Sequence, residues 1–461
     1  MSYTQKLASY VAKISYHDLP KSTLSAAKIR ILDCLGCMLG ACVLEAGKKI
    51  TRLFESFKGK GEATAIGVGR KLPSPNAAYV NSYLANLLDF DDTYVAVGHP
   101  GAVVIPAVLS VAQKTNASGK DLLNAIVVSY DVAIRIGSAM IPSQKQAEHV
   151  WGQSPLIFGA VAGAAKLLDL DEDKIADAFG LAGISAPLPF VRKFGLNERP
   201  VSWLKNNFGW VAMGGVLAGL LAKEGFNGNR TILDGENGFW RMAGSDQCEF
   251  ERIVSGLGES FKIEQVGLKP YPACRYIHPT IDAVYDILEH REIEVSQIKR
   301  IVVQVCSRSV KDFTVYEPVD IVDGQFSIPY AVAMALLNKT PGLDWLREGN
   351  LHDPGVLEIA RKVYVKADPK ADTRFPNEGM FASVQVELNN GSIVQAEKGG
   401  TGSIPKGEPQ NPLTREECLQ KFSRLSIPLV GAKKTEQIID VVLNIEKFAE
   451  ISKLTTLLMR G

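Results

Sequence analysis

Acidic, hydroxyl and imidazole side chains crowd one short stretch of this chain, between two apolar segments. The stretch contains Asp89, Asp91, Asp92, Thr93 and His99. An ionised carboxylate is costly to bury without partners, so these groups must be exposed, paired or used in chemistry. On a helix, Asp89, Asp92 and Thr93 would lie at i, i+3 and i+4 and share one face. The pattern predicts one wall of an active site.

Two other interpretations of this stretch stay open. It could be a helix C-terminus with solvated aspartates and a histidine that caps or packs. It could also bind a divalent ion, since aspartate and histidine are metal ligands. A D-D-x-x-D magnesium box starting at Asp91 fails, however, because the fifth position is Val95. We expect no catalytic metal, and full activity in the presence of a chelator would exclude one.

A second group of candidate residues follows a predicted change of domain, where clefts form and substrates bind. Lys269, Arg275 and His278 could supply cationic groups, and arginine pairs with carboxylates through two parallel hydrogen bonds. Two prolines stiffen this junction segment. The alternative is a rigid linker with solvated cations. Cys274 could be a nucleophile, but a packing cysteine is the simpler interpretation.

Three isolated residues are further candidates for substrate contact. Lys205 precedes a long uncharged run, a position where a helix N-terminus already favours anions. Its alternative is a surface lysine whose stem packs on apolar neighbours. Tyr330 opens an apolar helix and could equally be a core residue. His149 precedes a helix rich in small residues, and its role is open.

The elements that must position these side chains change in character along the chain. To about residue 245 the apolar spacing is helical, as in 119–133, 156–168, 174–183 and 212–225. After Gly267, alternating runs at 301–305, 363–366, 383–388 and 392–396 predict strands, the last two joined at an Asn-Gly turn. We predict a mainly α fold with a large helical domain, 1–266 completed by 400–461, and an inserted α+β lid domain, 267–399.

Composition excludes several classes of function. A net charge of +1, with 46% hydrophobic and 22% charged residues, is ordinary for a soluble globular protein and gives no footprint for nucleic acid or anionic membranes. The uncharged run 206–222 contains four glycines and is better interpreted as a buried helix than as a membrane span. Seven scattered cysteines, including Cys34 and Cys37 in a C-x-x-C, are expected to be reduced packing residues of a cytosolic protein, against a redox or metal pair.

Taken in order, these segments resemble the MmgE/PrpD family over nearly the whole chain. The resemblance is carried by D-F-D-D-T at 89–93 with His-Pro at 99–100, by G-F-N-G at 225–228 with I-L-D-G-E at 232–236, by K-P-Y-P-A-C at 269–274 with His278, and by Q-F-S-I-P-Y at 325–330. The resemblance implies a helical domain built from both chain ends with an α+β lid between them, a homodimer, and catalysis without metal or organic cofactor. It matches Asp89, Thr93, His99 and Tyr330 to active-site positions.

The expected chemistry is proton transfer at a carbon flanked by carboxylates. His99 or His278 would be the acid/base, because the imidazole pKa is close to neutrality. Asp89 would orient His99, and Thr93 would donate a hydrogen bond. Lys205, Lys269 and Arg275 would hold substrate carboxylates and stabilise enolate-like charge. Tyr330 would act as an acid.

The expected enzyme is a 2-methylcitrate dehydratase-like hydro-lyase acting on a di- or tricarboxylate. A cis-aconitate decarboxylase-like or iminodisuccinate epimerase-like enzyme is the close alternative, and a catalytically silent helical dimerisation protein the alternative of another class. Three departures count against the decarboxylase. Cys274 stands where that branch has histidine, His149 is out of register, and no L-H-x-G follows Lys205.

Overall fold

The computed structural model describes residues 1–147, 153–187, 199, 201–374, 379–400 and 402–459. His149 therefore lies outside the described residues.

The N-terminal half is built from helices. They are α1 (Tyr3–Lys13), α2 (Lys21–Ala41), α3 (Glu45–Glu55), α4 (Ser74–Leu87), α5 (Pro100–Lys114), α6 (Gly119–Ala139), α7 (Gln144–Ala147), α8 (Leu156–Leu167), α9 (Glu172–Ile184), α10 (Phe208–Lys223), α11 (Phe239–Met242) and α12 (Glu251–Val254). Between them lie three two-residue strands, β1 (Ala63–Thr64), β2 (Lys71–Leu72) and β3 (Asp92–Thr93). Local capping explains several starts: Ser118 and Asp121 form a reciprocal capping box at the start of α6.

Small residues let these helices approach closely in one large core. A Cβ on Gly215 of α10 would lie 2.4 Å from the Cβ of Ala160 on α8. The C-terminal helix joins the same core, because Gly36 and Gly40 of α2 face Phe422 and Leu425. The two ends of the chain thus share one hydrophobic core.

Two apolar helices were candidates for membrane spans by length or composition. The uncharged run predicted as a helix forms α10, 16 residues long, whose glycines pack against α4 and α8. Among the described residues, α6 alone is long and apolar enough to cross a membrane, and 94% of its apolar window is buried in the protein. It also carries the buried ion pair between Asp131 and Arg135 (2.7 Å). The helix α6 is therefore a central helix of the protein core.

The rest of the chain adds a second core around one sheet. Its helices are α13 (His278–His290), α14 (Ser307–Phe313), α15 (Ile321–Gln325), α16 (Ile328–Leu336), α17 (Glu348–Leu351), α18 (Pro354–Arg361) and α19 (Pro369–Arg374). Its strands are β5 (Ile298–Val305), β6 (Val363–Ala367), β7 (Phe381–Leu388) and β8 (Ile393–Gly399), while β4 (Gly267–Leu268) precedes them and pairs with β3. The chain ends with α20 (Arg415–Leu443), interrupted at Gly431 (φ 78°), and α21 (Ser452–Leu458).

The four-stranded sheet has the order β6-β5-β7-β8. Strands β5 and β6 are parallel, and the other two pairings are antiparallel. The turn at 389–392 joins β7 to β8, which confirms the predicted Asn-Gly hairpin; Gly391 has a φ of 84°. The described residues confirm the mainly α fold class, while the exact domain boundaries stay a prediction.

Candidate active site

Two motifs far apart in sequence meet through a pair of very short strands. Strand β3 pairs with β4, so that Thr93 faces Gly267 and Asp92 faces Leu268. Lys269 follows β4 directly and therefore lies beside the residues that precede β3. The helix α4 has already ended at Leu87, and the chain turns sharply at Asp89, whose φ is 49°. The prediction that Asp89, Asp92 and Thr93 share a helix face is therefore wrong.

Asp89 is the centre of the site. Its Oδ1 lies 2.7 Å from Nζ of Lys205 and its Oδ2 2.7 Å from Nζ of Lys269, while Lys269 also donates to the Asp89 carbonyl at 2.9 Å. All three residues are at least 95% buried. Burial opposes ionisation of Asp89, but the two ammonium groups outweigh it and lower its pKa. Burial lowers the pKa of Lys205, with Asp89 acting in the opposite direction. One carboxylate thus compensates two buried cations.

His99 stands beside this cluster, directly before α5. Its Nε2 lies 3.8 Å from Asp89 Oδ1, whereas its Nδ1 lies 3.0 Å from Asp91 Oδ2. Burial opposes ionisation of Asp91, but His99 outweighs it and lowers the pKa of this carboxyl. An ionised carboxylate only accepts, so Nδ1 carries the proton and Nε2 faces Asp89. Asp91, rather than Asp89, is the carboxylate placed to orient the imidazole.

Two asparagine side chains continue the hydrogen-bond network that begins with His99 and Asp91. Asn86 donates to the second oxygen of Asp91 (2.9 Å), and Asn206 donates to the Asn86 side-chain carbonyl (2.7 Å). Asn206 directly follows Lys205. The segment that carries Lys205 is therefore linked by hydrogen bonds to the carboxylate that holds His99.

Gln325 connects the two cores at this point. Its side chain accepts from Lys205 (3.0 Å) and donates to the Leu87 carbonyl at the end of α4 (2.8 Å). Its backbone carbonyl accepts from the Cys274 amide (2.8 Å). The site thus lies where the sheet-containing core meets the helical core.

Asp92 takes its hydrogen bonds from residues other than the lysines. Asp92 accepts from the Gly101 amide (2.8 Å) and from the Tyr130 hydroxyl (2.5 Å), which anchors the first turn of α5. Burial raises the pKa of Asp92 to about 7, against the effect of the Tyr130 hydrogen bond. Thr93 is 7% exposed and is held by its backbone pairing with Gly267. Asp91 and Asp92 hold the segment that carries His99.

Two predicted residues use their polar groups elsewhere. Both sides of the Arg275 guanidinium pair with the Glu408 carboxylate, one at 2.7 Å. The Tyr330 hydroxyl donates to the backbone carbonyl of Trp345 (2.7 Å), and burial raises its pKa. The described structure therefore shows neither Arg275 nor Tyr330 bonded to the Asp89 cluster.

The charges of Lys269 and Asp89 affect the pKa values of His278 and Cys274. His278 Nε2 donates to the Ala273 carbonyl (3.0 Å), and burial followed by the charge of Lys269 lowers its pKa to about 3. Burial, then the charge of Asp89, raises the pKa of the Cys274 thiol to about 11. At neutral pH both side chains are uncharged. The buried thiols of Cys34 and Cys37 likewise have pKa values raised by burial, in agreement with packing cysteines.

The space beside Lys205 is narrow. A cavity of about 10 Å³, lined in part by Asn86, Lys205 and Phe208, has room for about one water molecule. A wider surface groove of about 720 Å³ runs along 415–427 on α20, and none of the cluster residues lines it. The charge cluster, rather than the larger groove, contains the predicted residues Asp89, Lys205 and Lys269.

Comparison with known proteins covers almost the whole chain. The profile of the MmgE/PrpD N-terminal domain matches residues 5–251, and that of the MmgE/PrpD C-terminal domain matches residues 271–447. The chain belongs to the MmgE/PrpD family. Cis-aconitate decarboxylase of Aspergillus terreus is 28% identical over 99% of this chain and 95% of its own length. The human cis-aconitate decarboxylase is 24% identical over 99% of this chain and 94% of its own length. A cis-aconitate decarboxylase-like protein of Aspergillus oryzae is 25% identical over 99% of this chain and 97% of its own length.

Sequence reasoning missed several residues of this MmgE/PrpD site. Asn86, Asn206 and Gln325 lie inside or next to the quoted motifs but received no role. A buried amide has several hydrogen-bonding groups to satisfy, so an asparagine beside a site carboxylate was an available signal. Lys421, which pairs with Asp33 at 2.6 Å, gave no such signal because it lies in an ordinary helical segment.

Proposed function

We propose that this protein is a lyase that acts on a small di- or tricarboxylate, with proton transfer carried out by its own side chains. The observation that carries the proposal is the buried cluster in which Asp89 contacts both Lys205 and Lys269 beside His99. The family and the names of its relatives support the same class of reaction.

The charge of the cluster favours a carboxylate ligand. Asp91 is hydrogen-bonded to His99, whereas Asp89 is the carboxylate that contacts both ammonium groups. A substrate carboxylate at the lysines would supply the second negative charge. Inside a buried site such pairing is stronger than in water, and it would also stabilise charge that develops on the neighbouring carbon.

His99 is placed to handle the proton. With Nδ1–H directed at Asp91, Nε2 is the atom that faces the cluster. The neutral ring could accept a proton there, and the imidazolium could donate one, while Asp91 stabilises the charged form. Among the candidates whose contacts are described, His99 alone is partly exposed, close to Asp89 and without a backbone partner on Nε2.

Within the lyases, we place decarboxylation first. Loss of CO2 breaks one carbon–carbon bond, leaves the electron pair on the carbon, and needs one proton, which Nε2–H of His99 would deliver. Dehydration needs a base at the carbon and a separate acid for the departing hydroxyl. Tyr330 donates to Trp345, and His278 is neutral with its Nε2–H on Ala273, so neither is poised as that second acid.

This order differs from the expected dehydratase, and the relatives reported above support it because they carry decarboxylase names. The dehydratase stays the second candidate for one reason. Cys274 stands where the decarboxylase branch of the family has histidine, and its thiol is neutral. Homodimerisation and a cytoplasmic location stay predictions from the family resemblance.

The test is turnover of a panel of substrates in deuterated water, followed by NMR. Cis-aconitate, 2-methylcitrate and iminodisuccinate are each incubated with the wild type, with H99A and with H352A, whose histidine is exposed on the surface. We expect cis-aconitate to lose CO2 and gain one deuterium with the wild type and with H352A, and turnover to be abolished in folded H99A. Loss of water from 2-methylcitrate would favour the dehydratase, and exchange without net conversion an epimerase. Turnover by H99A would refute the role of His99, and loss of activity in chelator would indicate a metal enzyme.

A further inference from the structure

We propose that Lys421, on the C-terminal helix α20, is a positioning residue that sets the geometry between Asp89 and Lys269. The inference deepens the proposed function, because it concerns the same cluster, and it rests on that function only for its kinetic consequence. Nothing in the candidate motifs includes this lysine, which lies 331 positions from the Asp89 segment that it contacts.

The three protons of the Lys421 ammonium each have a partner. Nζ donates to the Phe90 carbonyl at 2.5 Å and to the Lys269 carbonyl at 2.9 Å, and lies 2.6 Å from Asp33 Oδ1. It also lies 4.0 Å from the centre of the Phe90 ring, a cation–π distance. Lys421 is 3% exposed. Burial would lower its pKa, but Asp33 outweighs burial and raises it, so the group is charged.

The position of the two carbonyls makes this contact more than a support for the fold. One belongs to Phe90, the residue between Asp89 and Asp91; the other belongs to Lys269 itself. A single ammonium thus holds the two backbone segments that carry the Asp89–Lys269 pair. An ammonium is the side chain that can do this, since it offers three donors to two carbonyls and one carboxylate. Losing it frees both segments to separate.

Asp33 pairs with this ammonium from α2, and burial raises the pKa of its carboxyl against the effect of Lys421. Its other oxygen, Oδ2, is buried without a hydrogen-bond partner in the described structure. Removing Lys421 alone would leave the carboxylate buried and unpaired, which destabilises a protein whatever the role of the lysine. The test therefore needs a variant in which both charges are removed.

The variants are K421M, K421M/D33N, K421R and the control K28M. Lys28 also joins α2 to the C-terminal region, through the Leu443 carbonyl (2.9 Å) and Glu446 (2.7 Å), but touches no residue of the cluster. Each is measured for its melting temperature, for kcat and KM on the substrate that the wild type turns over, and by crystallography of K421M/D33N.

We expect K421M to lose both stability and activity. In K421M/D33N part of the stability should return, while kcat/KM stays at least tenfold below the wild type, mainly through a higher KM. K421R should recover part of that loss, and K28M should lower the melting temperature without changing kcat/KM. In the double variant the distance between Lys269 Nζ and the Asp89 carbonyl should lengthen beyond hydrogen-bonding range.

Recovery of wild-type kcat/KM in K421M/D33N would overturn the inference and leave Lys421 a stabilising residue only. The crystal structure separates this result from a failure of the proposed function. If the wild type turned over none of the polycarboxylates, the proposed function would fail. The positioning role would still be judged by the contacts of Lys269 in K421M/D33N, and unchanged contacts would refute it.

Discussion

Replacing Asp89 by asparagine tests the cluster most directly. The substitution keeps the shape of the side chain but removes the charge that holds Lys205 and Lys269, each 2.7 Å away and each at least 95% buried. Removing one partner of a buried ion pair costs about 3–5 kcal/mol. The asparagine carbonyl still accepts from one lysine, so we expect a loss near the lower figure, about 3 kcal/mol.

The same substitution should create an anion site. With two ammonium groups uncompensated, a small dicarboxylate such as malonate should bind folded D89N better than it binds the wild type. At a concentration tenfold above its dissociation constant, such a ligand raises the free energy of unfolding by about 1.4 kcal/mol. It should therefore restore roughly half of the lost stability.

The assay is urea unfolding of wild type and D89N, with and without malonate, and D131N is the matched control. Asp131 is also buried and pairs with a buried Arg135 at 2.7 Å, but only one cation depends on it. We expect D131N to be destabilised and to respond to malonate no more than the wild type. The reasoning is refuted if D89N is within about 1 kcal/mol of the wild type, or if malonate stabilises D89N and D131N equally.

Three further outcomes are expected. D91N should lower kcat at least tenfold, because His99 loses the carboxylate that fixes the orientation of its ring; a wild-type kcat would assign that role elsewhere. Burial raises the pKa of Asp92 to about 7 in the folded protein, whereas an unfolded aspartate titrates near pH 4. Between about pH 4 and pH 7, Asp92 is therefore protonated in the folded state and ionised in the unfolded state. The free energy of unfolding of the wild type should therefore fall relative to that of D92N as the pH rises from about 4 to about 7, and should not change further above about pH 7. Urea unfolding of both proteins at each pH measures this difference. Y330F should cost about 1–3 kcal/mol of stability, because the Trp345 carbonyl loses its donor, and should keep kcat; a large fall in kcat would restore Tyr330 as an acid.

Local patterns predicted the secondary structure well, for a physical reason. Helical spacing of apolar residues, as in α6 and α8, and the Asn-Gly turn between β7 and β8 depend on neighbours in sequence. Short elements escaped this reasoning. Strands β3 and β4 have two residues each and exist only because they pair with one another. The helical face assigned to Asp89 failed there, since α4 ends at Leu87.

The sequence by itself determined which residue types were available for acid/base chemistry, and that Asp89, His99, Lys205 and Lys269 were candidates. Only the tertiary structure decided their partners. It joined Lys205 and Lys269 through Asp89, paired His99 with Asp91, and withdrew Arg275 to Glu408. Apart from the His99–Asp91 pair, these contacts join residues more than a hundred positions apart, as does the Lys421 contact to Phe90. A buried charge takes whichever opposite charge the packing of the whole chain places within reach, and no local pattern encodes that distance.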